Sequence, residues 1–94
     1  MNFRERLTQA RRLQILQLLA VVPGYESSQE VIYQALNNSA MSLVGDDLCW
    51  FKARGLVTLQ DMAGLRMARI TERGVDVARG LETAEGVARP GPGL

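Results

Sequence analysis

The sequence predicts a mostly α-helical protein with a small β-hairpin, in the order helix–helix–helix–strand–strand–helix. Three observations carry this. Apolar residues recur at helical spacing in three separate segments before residue 55. Two short runs rich in aliphatic residues then flank "DMAG", a connection of hairpin length. The next stretch, "ARITERGVDVARG", hands a strand over to a short helix, with a Thr at the helix start and a Gly at its stop.

Phe3 to Val22 reads as the first helix, with Ile15, Leu16, Leu19 and Val22 on one face and Pro23-Gly24 ending it. Leu7, Leu13, Leu18 and Ala20 lie outside that stripe, so its second half is apolar nearly all round. Such a helix is covered on two sides, either by the rest of the chain or by a second subunit. "ESSQEVIYQAL" reads as a second helix, capped by Ser27 or Ser28, with Val31, Ile32, Ala35 and Leu36 inward. "NNSA" is a turn by residue type. "SLVGDDLCWFKARG" is the third helix. Ser42 is its expected cap, Val44, Leu48 and Phe51 its inward stripe, and Gly55 its stop. Asp46 and Asp47 fall in its N-terminal half, where negative charge suits the helix dipole.

"LVTLQ" and "LRMARI" are the two strands, with Gly64 available for a positive φ between them. Ile70 closes the second strand toward the core, and Thr71 caps the last helix. Val75 and Ala78 point inward there, with Val77 close to that face, and Gly80 is the stop. Gly74 lets this helix approach its neighbour closely. These elements define a domain over residues 1–81. Residues 82–94, rich in Gly and Pro, read as a loosely held tail.

Composition limits function. The chain has 94 residues, enough for one modest core. Eleven Lys and Arg against ten Asp and Glu leave a net charge of +1, so no global basic field announces a nucleic-acid partner. The absence of His removes the commonest general base and metal ligand. The sequence offers no phosphate loop, metal cluster or nucleophile–base pair. The expectation is therefore a protein that is not an enzyme and uses no cofactor and no metal. Cys49, the single cysteine, cannot form an internal disulfide, which suits a reducing cytoplasm. The most apolar run, Leu13 to Val22, is broken by Gln14 and Gln17 and falls short of the roughly 20 residues a membrane span needs.

Three helices, a hairpin and a closing helix make a winged helix, a member of the helix-turn-helix class, with the hairpin as its wing. Gly55-Leu56-Val57 and Ile70-Thr71-x-x-Gly74 bracket that wing. The arrangement resembles the winged-helix regulators of the arsenic-sensing and multiple-antibiotic-resistance type. A closer resemblance covers nearly the whole chain. "RRLQILQLLAVVPGYESS", "DDLCWFKARGLVTLQDMAGLRMARITERGVDVARG" and "GVARPGP" are similar to a family of small proteins encoded by Mu-like bacteriophages and prophages. In that family the gene lies among late genes, near those for DNA packaging and head formation. The resemblance implies a phage protein in the bacterial host cytoplasm and brings no activity with it.

Double-stranded DNA is the first expected partner. Arg4, Arg6, Arg11 and Arg12, with Glu5 the only acid among them, make the first helix the most basic region, and Arg4, Arg11 and Arg12 are its candidate DNA contacts; Ser42 and Lys52 lie on the outward side of the third. On the wing, alternation sets Arg69 on the face opposite Arg66 and Ile70, which makes Arg69 the better outward phosphate contact and leaves Arg66 the sheet edge. Against this, the third helix offers two carboxylates where a groove reader offers Arg, Lys, Asn or Gln. Trp50 is expected to half-bury against the wing, or to anchor a partner if exposed. Phe3, Leu7, Leu13 and Trp50 are the candidate contacts with a second copy, through the N-terminal helix, or with a phage protein. Two readings stay open: a small homodimeric DNA-binding regulator, or a winged helix used for protein contact in phage DNA packaging or head assembly.

Overall fold

The computed structural model describes residues 2–36 and 40–91. Its elements are α1 (Phe3–Val21), β1 (Glu26–Ser28), α2 (Gln29–Ala35), α3 (Met41–Ala53), β2 (Val57–Met62), β3 (Leu65–Ile70) and α4 (Glu72–Ala78). Four helices surround one antiparallel sheet in the order β1-β3-β2. The turn expected over "NNSA" falls mostly on residues 37–39, outside the described residues.

α1 starts where Asn2 accepts a hydrogen bond from the Glu5 amide at 2.8 Å. It buries Ile15, Leu16 and Leu19 as its spacing predicts, and Leu13 and Ala20 as well. The surplus apolar surface at Leu13 is thus covered within the chain, which corrects its expected role as a contact to a second copy. Past Pro23 the chain reverses through Gly24 and Tyr25, both at positive φ.

The reversal delivers a strand not expected from the sequence. Glu26, Ser27 and Ser28 pair with Arg69, Ala68 and Met67 at the edge of β3. α2 therefore starts late, capped by Ser28, whose hydroxyl accepts from the Val31 amide at 3.2 Å. A seven-residue helix shows the core one narrow stripe, so Ile32 and Leu36 are buried while Val31 and Ala35 are exposed, contrary to expectation.

α3 buries Val44, Leu48 and Phe51. Ala40, not Ser42, stands at its N-cap, without a side-chain cap. β2 and β3 pair in continuous register from Val57↔Ile70 to Met62↔Leu65. Ala63 and Gly64 connect them with φ of 53° and 80°, the pattern of two-residue turns whose twist matches a hairpin.

Thr71 holds the last junction from both sides. Its hydroxyl donates to the Gly55 carbonyl at 2.7 Å and accepts from the Gly74 amide at 3.0 Å. Gly74 is required by packing: a Cβ there would lie 2.3 Å from the Leu56 carbonyl oxygen and 2.6 Å from Ile70 Cγ1. α4 buries Gly74, Val77 and Ala78, with Val75 half-buried.

Residues 82–91 do not trail away from this unit as the expected loose tail. They return across α1, where the Ala88 amide donates to the Gln9 carbonyl at 3.1 Å and Val87 joins the core. Gly86, at φ 96°, lies so close to the Trp50 indole that a Cβ would be 2.6 Å from Cζ2. A stretch with one apolar anchor and a Gly that fits under an aromatic ring is enough to hold the segment down.

Candidate functional site

Two neighbouring places on α3 concentrate the polar chemistry. The first is buried. Asp47 falls three residues after Val44 and four before Phe51, on the inward side of the helix, and its side chain is 2% exposed. A carboxylate there requires a cation partner, and α1 supplies two. Arg11 donates through Nε to Oδ2 and through Nη2 to Oδ1, the latter at 3.1 Å, in a forked pair. Arg12 Nε donates to Oδ1 at 3.1 Å, and its Nη1 reaches the Gly86 carbonyl at 3.1 Å.

The Arg12 guanidinium also stacks 4.0 Å from the Trp50 ring centroid, and that of Arg54 lies 3.8 Å from it. Phe51 meets Trp50 edge-on at 5.8 Å. The cluster ties α1, α3 and the 82–91 segment together. Three assignments change with it. Arg11 and Arg12, 13% and 17% exposed, are withdrawn from any phosphate contact. Asp47 neutralises a pair of arginines and does not serve the helix N-terminus. Trp50 is half-buried, with Arg12, Arg54 and Gly86 against its ring, so it is not an open anchor for a partner.

The second place is open. Cys49 and Lys52 on α3 and Leu59, Gln60, Asp61 and Arg66 on the hairpin line a cleft of about 200 Å³. Arg66 Nη1 stands 3.7 Å from the Cys49 sulfur. Lys52 and Arg66 are exposed, and neither pairs with a carboxylate among the described residues. Ser42 and Asp46 are exposed nearer the start of α3. The chemistry on offer is contact with an anion, moderated by Asp61 and Asp46.

Other expected residues lie apart from this cleft. Arg69 is exposed and lines a separate cleft of about 360 Å³ with Tyr25, Glu72, Asp76 and Arg79, so it does not join Lys52 and Arg66. Arg4, Phe3 and Leu7 are exposed on the first turns of α1. No helix among the described residues is long and apolar enough to cross a membrane.

Fold and site together define a class: a small four-helix protein with a three-stranded antiparallel sheet, pinned by an Arg–Asp–Arg cluster and presenting a narrow cationic cleft. Sequence comparison gives the particular kinship. The chain belongs to the family of the uncharacterised protein gp26 of Escherichia phage Mu. The two are 32% identical over 90 residues, covering 92% of this chain and 93% of gp26. An uncharacterised Haemophilus influenzae protein is 32% identical over 78 residues, 78% of this chain and 76% of that one. No family model matches the chain. The crystal structure of AF1382 from Archaeoglobus fulgidus superposes with a TM-score of 0.67 at 20% identity, covering 76% of this chain and 79% of that one, a likeness of fold alone.

Proposed function

We propose that the chain is a phage-type winged helix that binds double-stranded DNA through the outward face of α3 and the β2–β3 hairpin. It acts as a small regulator-like factor and not as an enzyme. The element order helix–strand–helix–helix–strand–strand–helix supports the winged-helix reading. The observation that carries DNA binding is the pairing of Lys52 and Arg66 across one exposed cleft between recognition helix and wing. Gln60 beside them adds a side chain able to donate and accept.

Two such cations neutralise two phosphates, which gives modest affinity and a log–log salt slope of about −2. Fluorescence anisotropy of a labelled random duplex, titrated at low and then physiological salt, reads this directly. Lys52→Glu with Arg66→Glu is expected to abolish binding, Asp46→Asn with Asp61→Asn to strengthen it, and Arg69→Glu to leave it unchanged. A flat titration of the wild-type chain at low salt sinks this reading.

One observation favours a second use of the same face. With Arg11 and Arg12 held by Asp47, the exposed charge of the face is two cations against Asp46 and Asp61. A balanced surface of that kind also fits a phage protein partner of complementary charge in packaging or head assembly.

A further inference from the structure

Six residues run along the outer side of α1: Phe3, Leu7, Ala10, Gln14, Gln17 and Val21. The steps between them alternate four and three, the 3.5-residue repeat of a helix–helix seam. The core does not use this side, and Phe3, Leu7 and Val21 are 75%, 52% and 79% exposed. Both ends of the seam are apolar, while its middle is small or carries an amide.

Two further features lie along the same helix. A groove of about 450 Å³ runs between α1 and α2, lined by Gln14, Gln17, Leu18, Val21, Ala35 and Leu36. It is a hole beside the C-terminal half of the seam, and the N-terminal half carries the matching knobs, Phe3 and Leu7. Charge along the helix matters too. Arg4 and Arg6 flank Glu5 near the N-terminus, where the dipole disfavours cations, and the last turn has no basic residue.

We propose that a second copy of this chain covers this face, with the two α1 helices antiparallel about a two-fold axis level with Arg12. In that register Phe3 lies over Val21 of the second copy. Leu7 faces Gln17 of the second copy and enters its groove. Ala10 sits opposite Gln14 of the second copy, where its small side chain lets the backbones approach. Arg4 and Arg6 come alongside the carbonyl end of the second α1, where the dipole favours cations and no basic residue of that helix competes. A parallel pair would instead set Arg4 on Arg4 and Arg6 on Arg6 and leave both grooves unfilled. The antiparallel arrangement is self-complementary, each copy giving the knobs and the hole once, as a closed dimer requires. Of the contacts expected from sequence, only Phe3 and Leu7 belong to it, because Leu13 and Trp50 turn inward.

The first test is sedimentation equilibrium of the full chain at ~100 µM, where an interface of standard size is well populated. The expected mass is twice 10.4 kDa. Phe3→Glu with Leu7→Glu is expected to weaken association by at least about a hundredfold, and Val21→Glu to act in the same direction. All three positions are exposed, so the far-UV circular dichroism spectrum should keep its helical signal, while the melt loses only the part of its stability that depends on protein concentration. Orientation is read by disulfide formation in a Cys49→Ser background. Mixed Leu7→Cys and Gln17→Cys chains should give the hetero-linked product, since those positions meet only in the antiparallel register. A wild-type monomer at this concentration overturns the proposal and leaves the groove to a different protein. A dimer indifferent to Phe3→Glu/Leu7→Glu, or one in which Leu7→Cys links mainly to itself, overturns the interface assigned here.

Discussion

Replacing Asp47 with Ala is expected to destabilise the fold by about 3–5 kcal/mol, because it leaves two largely buried guanidinium groups without their carboxylate. The geometry explains the size. Asp47 accepts from Arg11 through a fork and from Arg12 through Nε. Arg12 in turn holds Gly86 and stacks on Trp50. Removing one carboxylate therefore loosens α1, α3 and the 82–91 segment at once. Arg11→Ala and Arg12→Ala alone should each lose less, since Asp47 keeps one partner. Replacing all three residues by apolar side chains of similar volume is expected to restore most of the stability, because no buried charge then remains. Urea denaturation measures each of these. A midpoint unchanged in Asp47→Ala would show that the cluster is worth no more than a surface ion pair. The result also governs how DNA-binding mutants are interpreted: a charge reversal at Arg11 disturbs folding, so binding lost with it says nothing about phosphate contact.

Gly74→Ala is the second large effect, expected to reduce stability by about 3 kcal/mol, at the upper end of what overpacking does. The obstruction is backbone. The new methyl would stand 2.3 Å from the Leu56 carbonyl oxygen, which accepts the Thr71 amide at 3.0 Å. Relief means moving α4 away from the start of β2, and that breaks the Thr71 junction. In a chain of this size the melting temperature should fall by more than about 10 °C. Gly45→Ala provides the contrast. Its Cβ would meet the end of the Gln29 side chain at 3.1 Å, which can swing aside, and Ala gains up to about 1 kcal/mol over Gly within a helix. If Gly74→Ala melts with the wild type, close approach of α4 is not what holds a Gly there.

The Asp47 cluster is partly legible in the amino-acid pattern. Val44, Asp47 and Phe51 follow one another at three and four residues, so the inward stripe of α3 contains a carboxylate, and that demands a cation. Arg11 and Arg12 stand four residues before Ile15 and Leu16, on the buried side of α1. Taken one helix at a time, the pattern gives the arginines to DNA and the aspartate to a dipole. Taken together, the two stripes pair them. β1 carries no such signal. Glu26-Ser27-Ser28 has neither alternation nor β-branched residues, and its strand geometry comes from the open edge of β3.

What the residues determined by themselves was most of what is set within a few positions along the chain, the cap of α3 and the inner face of α2 excepted. Helical spacing placed α1, α3 and α4, the "DMAG" stretch placed the hairpin turn, and Thr71 with Gly74 placed the cap and the close contact. Those depend on local sterics, periodicity and short-range hydrogen bonds. Only the tertiary structure decided which cations are free, which strand borders β3 and where residues 82–91 rest. Each of those joins partners far apart in sequence, 36 residues for Arg11 and Asp47 and 74 for Arg12 and Gly86. Burial changes what a charged residue does: the arginines that look most available in the sequence hold the core together, and Lys52 and Arg66 stay exposed.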